Sequence, residues 1–128
     1  MYRATIENHG DSSYHATAGG FGFVMDTEGR GVGPVDALLA SLCACVGHYV
    51  RDFLRLKAIE PIRFTVESSA ESTADGTRLG DIDVRIQLMG PALDPKLRQE
   101  LLVFVEKCKI HSSLKTNSKI TKTVECVG

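Results

Sequence analysis

Residues 31–57 of the chain read GVGPVDALLASLCACVGHYVRDFLRLK. Pro34 follows a glycine-rich loop, and the fixed φ of proline suits the first turn of a helix. Nothing after it breaks the run until residues 58–61, so this stretch predicts one long helix. Its first half is apolar or small on every side, and its second half is amphipathic. We therefore expect a core helix with more apolar surface than a chain of this length can bury, which favours an oligomer.

Alternating apolar and polar residues on either side of this helix predict β-strands. The strands are expected over residues 2–7, 13–18, 21–25, 62–69, 82–89 and 120–127. The first three form an antiparallel meander, the next two pair as a hairpin, and the last closes the chain. Asp94 and Pro95 predict the start of a second helix that runs to about Lys107, followed by a short helical segment over residues 108–114. This order indicates an α+β fold in a single domain, residues 1–128.

Composition excludes several classes of partner. The 128 residues carry a formal net charge of −1, so no basic field attracts nucleic acid or an anionic membrane. The N-terminus lacks the apolar segment of a signal peptide, and we expect no run of about 20 apolar residues to span a bilayer. A soluble, cytoplasmic protein is expected, and its four cysteines are then reduced, reactive or metal-bound rather than in structural disulfides.

Two of the cysteines lie in the long helix. Cys43 and Cys45 are about 200° apart around a helix axis, so they cannot pair locally. Cys45 shares a helix face with His48 and Tyr49, and a histidine one turn away is a candidate proton acceptor for a nucleophilic thiol. Small thiols also pack well in a crowded helix. For Cys43, packing is the favoured interpretation. For Cys45, a role as a nucleophile and a role in packing both stay open.

Cys108 lies between Lys107 and Lys109, near the end of the second predicted helix. Neighbouring positive charge lowers the pKa of a thiol and favours the reactive thiolate. The same lysines would also stabilise a helix C-terminus without any role in chemistry, so this pattern leaves two interpretations open. Cys126, in the last predicted strand, is expected to be a packing residue.

A zinc site is a weaker alternative for the same residues. Cys45 with His48 and Cys108 with His111 repeat the spacing Cys-x-x-His, and two such pairs would supply four tetrahedral ligands. The spacing is short and unspecific, because ordinary zinc sites draw their cysteine pairs from turns. We therefore expect no metal.

Two segments together resemble one known family. Residues 31–45 have the pattern G-x-G-P-x-D-x-L-L-A-S-L-x-A-C, and residues 108–114, CKIHSSL, resemble a C-P-V-S-x-x-L element with Lys109 in place of the proline. Both patterns, in this order, are similar to the OsmC/Ohr family of osmotically induced and organic-hydroperoxide-resistance proteins. The resemblance implies an intertwined homodimer with central long helices and active sites at the subunit interface.

The resemblance also implies a reaction. Cys45 takes the place of the peroxidatic cysteine, which attacks a small organic hydroperoxide, and Cys108 takes the place of the resolving cysteine, which forms a disulfide with it. An external thiol or dithiol reduces that disulfide, so no bound cofactor is expected. The competing hypothesis is a non-enzymatic member that binds a small ligand or zinc at the dimer interface.

The remaining site residues come from the same resemblance and from their positions beside the two cysteines. Phe21 stands where the family has an arginine and Val35 where it has an acid, so Arg30 is the nearest replacement arginine. Asp36 is one position on, but on a continuous helix it lies about 180° around the axis from Cys45 and over two turns away, so it cannot simply replace that acid. Arg30 is expected to stabilise the Cys45 thiolate. The residues expected to contact substrate are Tyr49, Phe21 and Leu42. Those expected to surround the reacting groups are His48, His111 and Asp36.

Overall fold

The computed structural model describes residues 1–59, 63–90, 92–116 and 118–127. Over these residues the chain forms five β-strands, three α-helices and one 3-10 turn, which is the predicted α+β class. The chain packs as two compact units. The first comprises Met1–Ser41 with Ser68–Ile82, and the second comprises the described residues within Leu42–Glu67 and Asp83–Gly128.

The N-terminal strands form the predicted meander. Strands β1 (Ala4–Glu7), β2 (Ser13–Ala18) and β3 (Phe21–Asp26) make one antiparallel sheet in that order. The turn between β2 and β3 consists of Gly19 and Gly20, with φ of 58° and 82°. Positive φ at both central positions is what a two-residue hairpin of this hand requires, and glycine reaches it without a steric penalty.

Helix α1 (Pro34–Leu56) is the predicted long helix, with Pro34 at its first position. At its C-terminus the N–H of Ile59 donates to the carbonyl of Leu54 at 2.9 Å and the N–H of Ala58 to that of Arg55 at 3.1 Å. This is a Schellman cap, and Ala58 takes the left-handed φ of 53° that glycine usually provides there. The cap explains why the helix ends before the next proline.

One face of α1 is buried at helical spacing. Its buried residues are Leu42, Val46, Val50, Phe53 and Leu54. The expectation that the first half is covered on all sides is wrong for the single chain, since Val35 is 50% exposed and Ala40 and Ala44 are also exposed.

The expectation about bilayer-spanning runs is also corrected: by length and a mean hydropathy of 1.3, α1 could cross a membrane, although core helices of soluble proteins meet the same criteria.

Strands β4 (Arg63–Ser72) and β5 (Leu79–Met89) pair as the predicted hairpin, but each extends three residues closer to the turn than expected. The predicted start of β4 at Ile62 lies outside the described residues. In the turn, the Asp75 carboxylate accepts hydrogen bonds from the hydroxyls of Thr73 at 2.6 Å and Thr77 at 2.8 Å. These bonds hold the pKa of Asp75 at about 2. They also fix the turn between the two strands, whose polar sequence shows no alternation and therefore predicts no strand.

Helix α2 (Pro95–Phe104) begins as predicted, because the Asp94 carboxylate accepts a hydrogen bond from the N–H of Leu97 at 2.8 Å. A 3-10 turn follows over Val105–Lys107, and then helix α3 (Lys109–Lys115).

The predicted closing strand over residues 120–127 is wrong. Residues 118–127 form neither helix nor strand, and Ile120, Val124 and Val127 are 80%, 90% and 94% exposed. A strand needs a hydrogen-bonded neighbour, and this segment pairs with neither sheet described above.

Candidate functional site

Cys108 occupies the joint between the 3-10 turn and α3. It is the N-cap of α3, and its Sγ accepts a hydrogen bond from the backbone N–H of His111 at 3.3 Å. The extended backbone at Cys108, with φ −57° and ψ 123°, separates the two helical segments. Its side chain is fully buried, with 0% exposure. The change of backbone direction between the 3-10 turn and α3 therefore places this thiol inside the second unit.

The Cys45 thiol meets Cys108 there. The two side chains interact closely enough for Cys45 to raise the pKa of Cys108, although they lie more than sixty residues apart in the sequence. Cys45, in α1, is only partly buried, and none of the four cysteines, all within the described residues, is in a disulfide. The structure thus brings together the two thiols that the sequence resemblance paired, in their reduced form.

The pKa of Cys108 is raised above its ordinary value. Burial is the largest cause, because it disfavours the thiolate, and the interaction with the neighbouring Cys45 thiol acts in the same direction. The N–H of His111 opposes both, but it is the smaller influence. The expectation that flanking lysines lower this pKa is therefore wrong: Lys107 instead places its ammonium 4.1 Å from the centre of the Phe104 ring.

An aromatic cluster adjoins the thiol pair. Tyr49 lies one helical turn beyond Cys45, and Phe104 lies four residues before Cys108. Their ring centres are 6.2 Å apart, and Phe53 packs on the other side of Phe104 at 5.6 Å. Edge-on and tilted ring pairs of this kind hold α1 and α2 together beside the sulfurs. Tyr49 therefore belongs to the ring cluster one turn beyond Cys45, and its contact with substrate stays a prediction.

His48 lies on the outer edge of the same helix. Its Nε2 is 3.4 Å from Oδ2 of Asp52, one turn further along α1, and the histidine side chain is 53% exposed. The ring also meets Tyr49 edge-on at 5.0 Å. Sequence reasoning singled out His48 but missed Asp52, although the i,i+4 spacing of a histidine and a carboxylate was a readable signal.

Three other predicted residues lie in the first unit. Phe21 is 80% exposed at the start of β3, and Asp36 lies in the first turn of α1. Arg30 lies in the loop that follows β3, where its backbone N–H donates to the buried carboxylate of Asp26 at 3.3 Å. Leu42, by contrast, is buried in the second unit at 4% exposure, so it contributes to the core there.

Asp26 organises the loop that carries Arg30, and sequence reasoning missed it. Its carboxylate accepts hydrogen bonds from the N–H of Glu28 at 2.7 Å and the hydroxyl of Ser12 at 3.0 Å, in addition to Arg30. These donors favour the ionised form, so the pKa of Asp26 is lowered. An aspartate that ends a strand before a glycine-rich loop was the available signal.

No metal site is assembled from the side chains that the structure describes. Among residues 1–59, 63–90, 92–116 and 118–127, no group of three or more His, Cys, Asp or Glu side chains could hold an ion. The alternative in which Cys45, His48, Cys108 and His111 form a zinc site is therefore not supported within one chain.

A groove of about 840 Å³ runs between the second half of α1 and α2. Phe53, Leu56, Val103 and Phe104 supply its apolar side, and three lysines and one glutamate lie among its polar residues. Neither Cys45 nor Cys108 lines this groove. The groove is therefore separate from the thiol pair, although Phe104 borders both.

Comparisons with known proteins place the chain among OsmC-like folds. The family model described as OsmC-like protein matches residues 27–123. A crystal structure of an OsmC-like protein from Mycoplasma pneumoniae superposes with a TM-score of 0.76 at 24% identity, covering 91% of this chain and 89% of that chain. The organic hydroperoxide resistance protein OsmC from Legionella pneumophila superposes with a TM-score of 0.64 at 19% identity, covering 91% and 90%.

The organic hydroperoxide resistance protein OhrB of Bacillus subtilis gives a TM-score of 0.60 at 19% identity, covering 91% of this chain and 92% of that chain. A comparison with curated protein sequences finds no match. At these identities the structural likeness establishes the fold, and the chemistry has to be argued from the thiol pair itself.

Proposed function

Because the chain belongs to the OsmC-like family, we propose that it reduces organic hydroperoxides with thiols through a cycle of two cysteines. The observation that carries this proposal is the close approach of the Cys45 and Cys108 side chains within one chain. Two structural relatives are named organic hydroperoxide resistance proteins, which supports the same class of substrate.

The cycle has three steps. The Cys45 sulfur attacks one oxygen of the hydroperoxide, the O–O bond breaks, an alcohol leaves and Cys45 becomes a sulfenic acid. The Cys108 sulfur then attacks the Cys45 sulfur, so that water leaves and a disulfide forms. An external thiol or dithiol returns both cysteines to thiols by exchange, and the cycle uses no bound cofactor.

The environments of the two thiols support this assignment of roles. Cys108 is fully buried and its pKa is raised, so it is a poor first nucleophile and is hard for a substrate to reach. Cys45 is partly exposed and contacts Cys108, so it can meet a substrate on one side and the resolving thiol on the other.

Other residues have supporting roles in this proposal. Tyr49, Leu42 and Phe21 contribute apolar contacts for the substrate, and Arg30 stabilises negative charge on the Cys45 sulfur. The residues that complete the surroundings of the reaction are His48, His111 and Asp36. The roles of Arg30 and Asp36 come from the sequence resemblance and those of His48 and His111 from their spacing to the two cysteines, while the position of Tyr49 one turn beyond Cys45 favours its role.

The proposed working form is a soluble, cytoplasmic homodimer that binds neither nucleic acid nor a membrane. The apolar first half of α1 is incompletely covered in the single chain, with Val35 half-exposed. A second copy of the chain would remove this apolar surface from water, which favours association.

We expect cumene hydroperoxide to be reduced with a kcat/KM about 10²-fold higher than that for hydrogen peroxide, since each buried methylene equivalent contributes about 0.8 kcal/mol. Tyr49, which is partly buried one turn beyond Cys45 on α1, would supply an apolar contact for the cumyl group. The measurement is consumption of each peroxide with a dithiol as reductant. Equal or faster consumption of hydrogen peroxide would contradict an apolar substrate site, and no consumption of either would favour the non-enzymatic alternative.

A further inference from the structure

We propose that His48, held by Asp52, takes the proton from the Cys45 thiol and returns it to the leaving alkoxide. His48 is then a catalytic proton acceptor and Asp52 a positioning residue that acts through it. This inference rests on the proposed hydroperoxide chemistry of Cys45. It adds to that chemistry a route for the proton and a carboxylate that sequence reasoning did not identify.

Three side chains follow one another along a single face of α1. Positions 45, 48 and 52 fall within an arc of about 60° on a helix with 3.6 residues per turn. Side chains on a helix lean towards its N-terminus, so Asp52 leans over His48 and His48 leans towards Cys45. The contact between Nε2 of His48 and Oδ2 of Asp52, 3.4 Å, agrees with this direction.

The contact with Asp52 determines which nitrogen acts. Nε2 faces the carboxylate, so a neutral imidazole with its proton on Nε2 leaves Nδ1 as the acceptor. The carboxylate also orients the ring, as the third group does in other nucleophile–base arrangements. The edge-on contact with Tyr49, 5.0 Å between ring centres, limits rotation of the imidazole.

The neighbouring groups are unsuited to the same task. Cys108 keeps its proton, because burial and its contact with Cys45 both disfavour its thiolate. Lys107, in the 3-10 turn that follows α2, is a cation and lies over the Phe104 ring. His48 is 53% exposed, so it can exchange its proton with water between turnovers.

The proton and the electrons balance without any further reactant. Nδ1 of His48 takes the thiol proton, and the Cys45 sulfur gives two electrons to the O–O bond, forming an S–O bond as the O–O bond breaks. The alkoxide that leaves takes the proton from His48 and becomes the alcohol. Sulfur is oxidised to the sulfenic acid level and the peroxide is reduced.

The test compares the His48–Asp52 pair with a matched pair elsewhere in the chain. His9 lies 3.7 Å from Glu7 and is 63% exposed, which makes it a similar surface pair in the other unit. The rate of sulfenic acid formation with cumene hydroperoxide is measured in a single turnover for His48→Ala, Asp52→Asn, His9→Ala and Glu7→Gln. Free imidazole is then added to each variant, and His48→Gln serves as a second variant that preserves side-chain bulk.

We expect His48→Ala and His48→Gln to react about 10²-fold more slowly than the unmodified protein, which is the size of a general-base contribution. Asp52→Asn should lose about 10-fold, because the base remains but its orientation does not. Added imidazole should restore much of the rate of His48→Ala, since the site is open to water. Both control variants should keep the full rate.

Two results would overturn the inference. One is His48→Ala reacting as fast as His9→Ala, and the other is a slow His48→Ala that imidazole does not restore. A failure of the hydroperoxide proposal itself looks different, because the unmodified protein would then form no sulfenic acid at Cys45.

Discussion

Replacing Cys45 by serine is expected to lower the rate of organic hydroperoxide reduction by at least about 10³-fold, because a serine hydroxyl is a far weaker nucleophile than a thiolate. The side chain would keep nearly its size and its position in α1. The lower rate would therefore reflect the missing nucleophile and not a change in folding. The measurement is the initial rate of cumene hydroperoxide consumption with an excess of dithiol.

Cys43 supplies the matched control for this substitution. It lies on the same helix, two residues away, and it is also partly buried. Cys43→Ser should keep the rate of the unmodified protein within about twofold, because on a helix it points roughly 200° away from Cys45. Equal losses in the two variants, or none in Cys45→Ser, would show that Cys45 is not the nucleophile.

Replacing Cys108 by serine is expected to separate the first step from the rest of the cycle. The first equivalent of hydroperoxide should still be consumed, and Cys45 should remain as a sulfenic acid. Turnover should fall by about 10²-fold or more, since a neighbouring thiol acts at a far higher effective concentration than one in solution. Trapping with dimedone and mass measurement of the intact protein detects the sulfenic acid.

The choice of serine protects the fold in this variant. Cys108 is the N-cap of α3, and serine is among the best N-cap residues, so the hydrogen bond from His111 would be kept. Cys126, exposed near the end of the chain, gives the control Cys126→Ser. Undiminished turnover in Cys108→Ser, or a disulfide that still forms, would rule out Cys108 as the resolving thiol.

Local rules were sufficient to predict the helices. Pro34, Asp94 and Pro95 each act within one turn of their own position, and the structure begins α1 and α2 where they predict. The prediction of a closing strand over residues 120–127 was wrong because a strand depends on a partner elsewhere in the chain. Alternation expresses a preference for extended backbone, but a strand forms only when a neighbour supplies hydrogen bonds.

The thiol site could be predicted from the sequence only in part, for a similar reason. The flanking lysines of Cys108 are neighbours in sequence, yet Lys107 lies over Phe104 while the thiol is buried, so its pKa moves in the opposite direction to the one predicted. No spacing rule joins Cys45 to Cys108 across more than sixty residues. Only the two motifs of the family resemblance paired them.

The central claim is that Cys45 and Cys108 form one redox pair. The most direct measurement is oxidation of the reduced protein with one equivalent of cumene hydroperoxide, followed by peptide mapping without reduction. The account predicts that a single disulfide joins Cys45 and Cys108 within one chain, because their side chains already interact in the reduced protein. A disulfide that instead involves Cys43 or Cys126, or a Cys45 oxidised beside an unchanged Cys108 thiol, would contradict it.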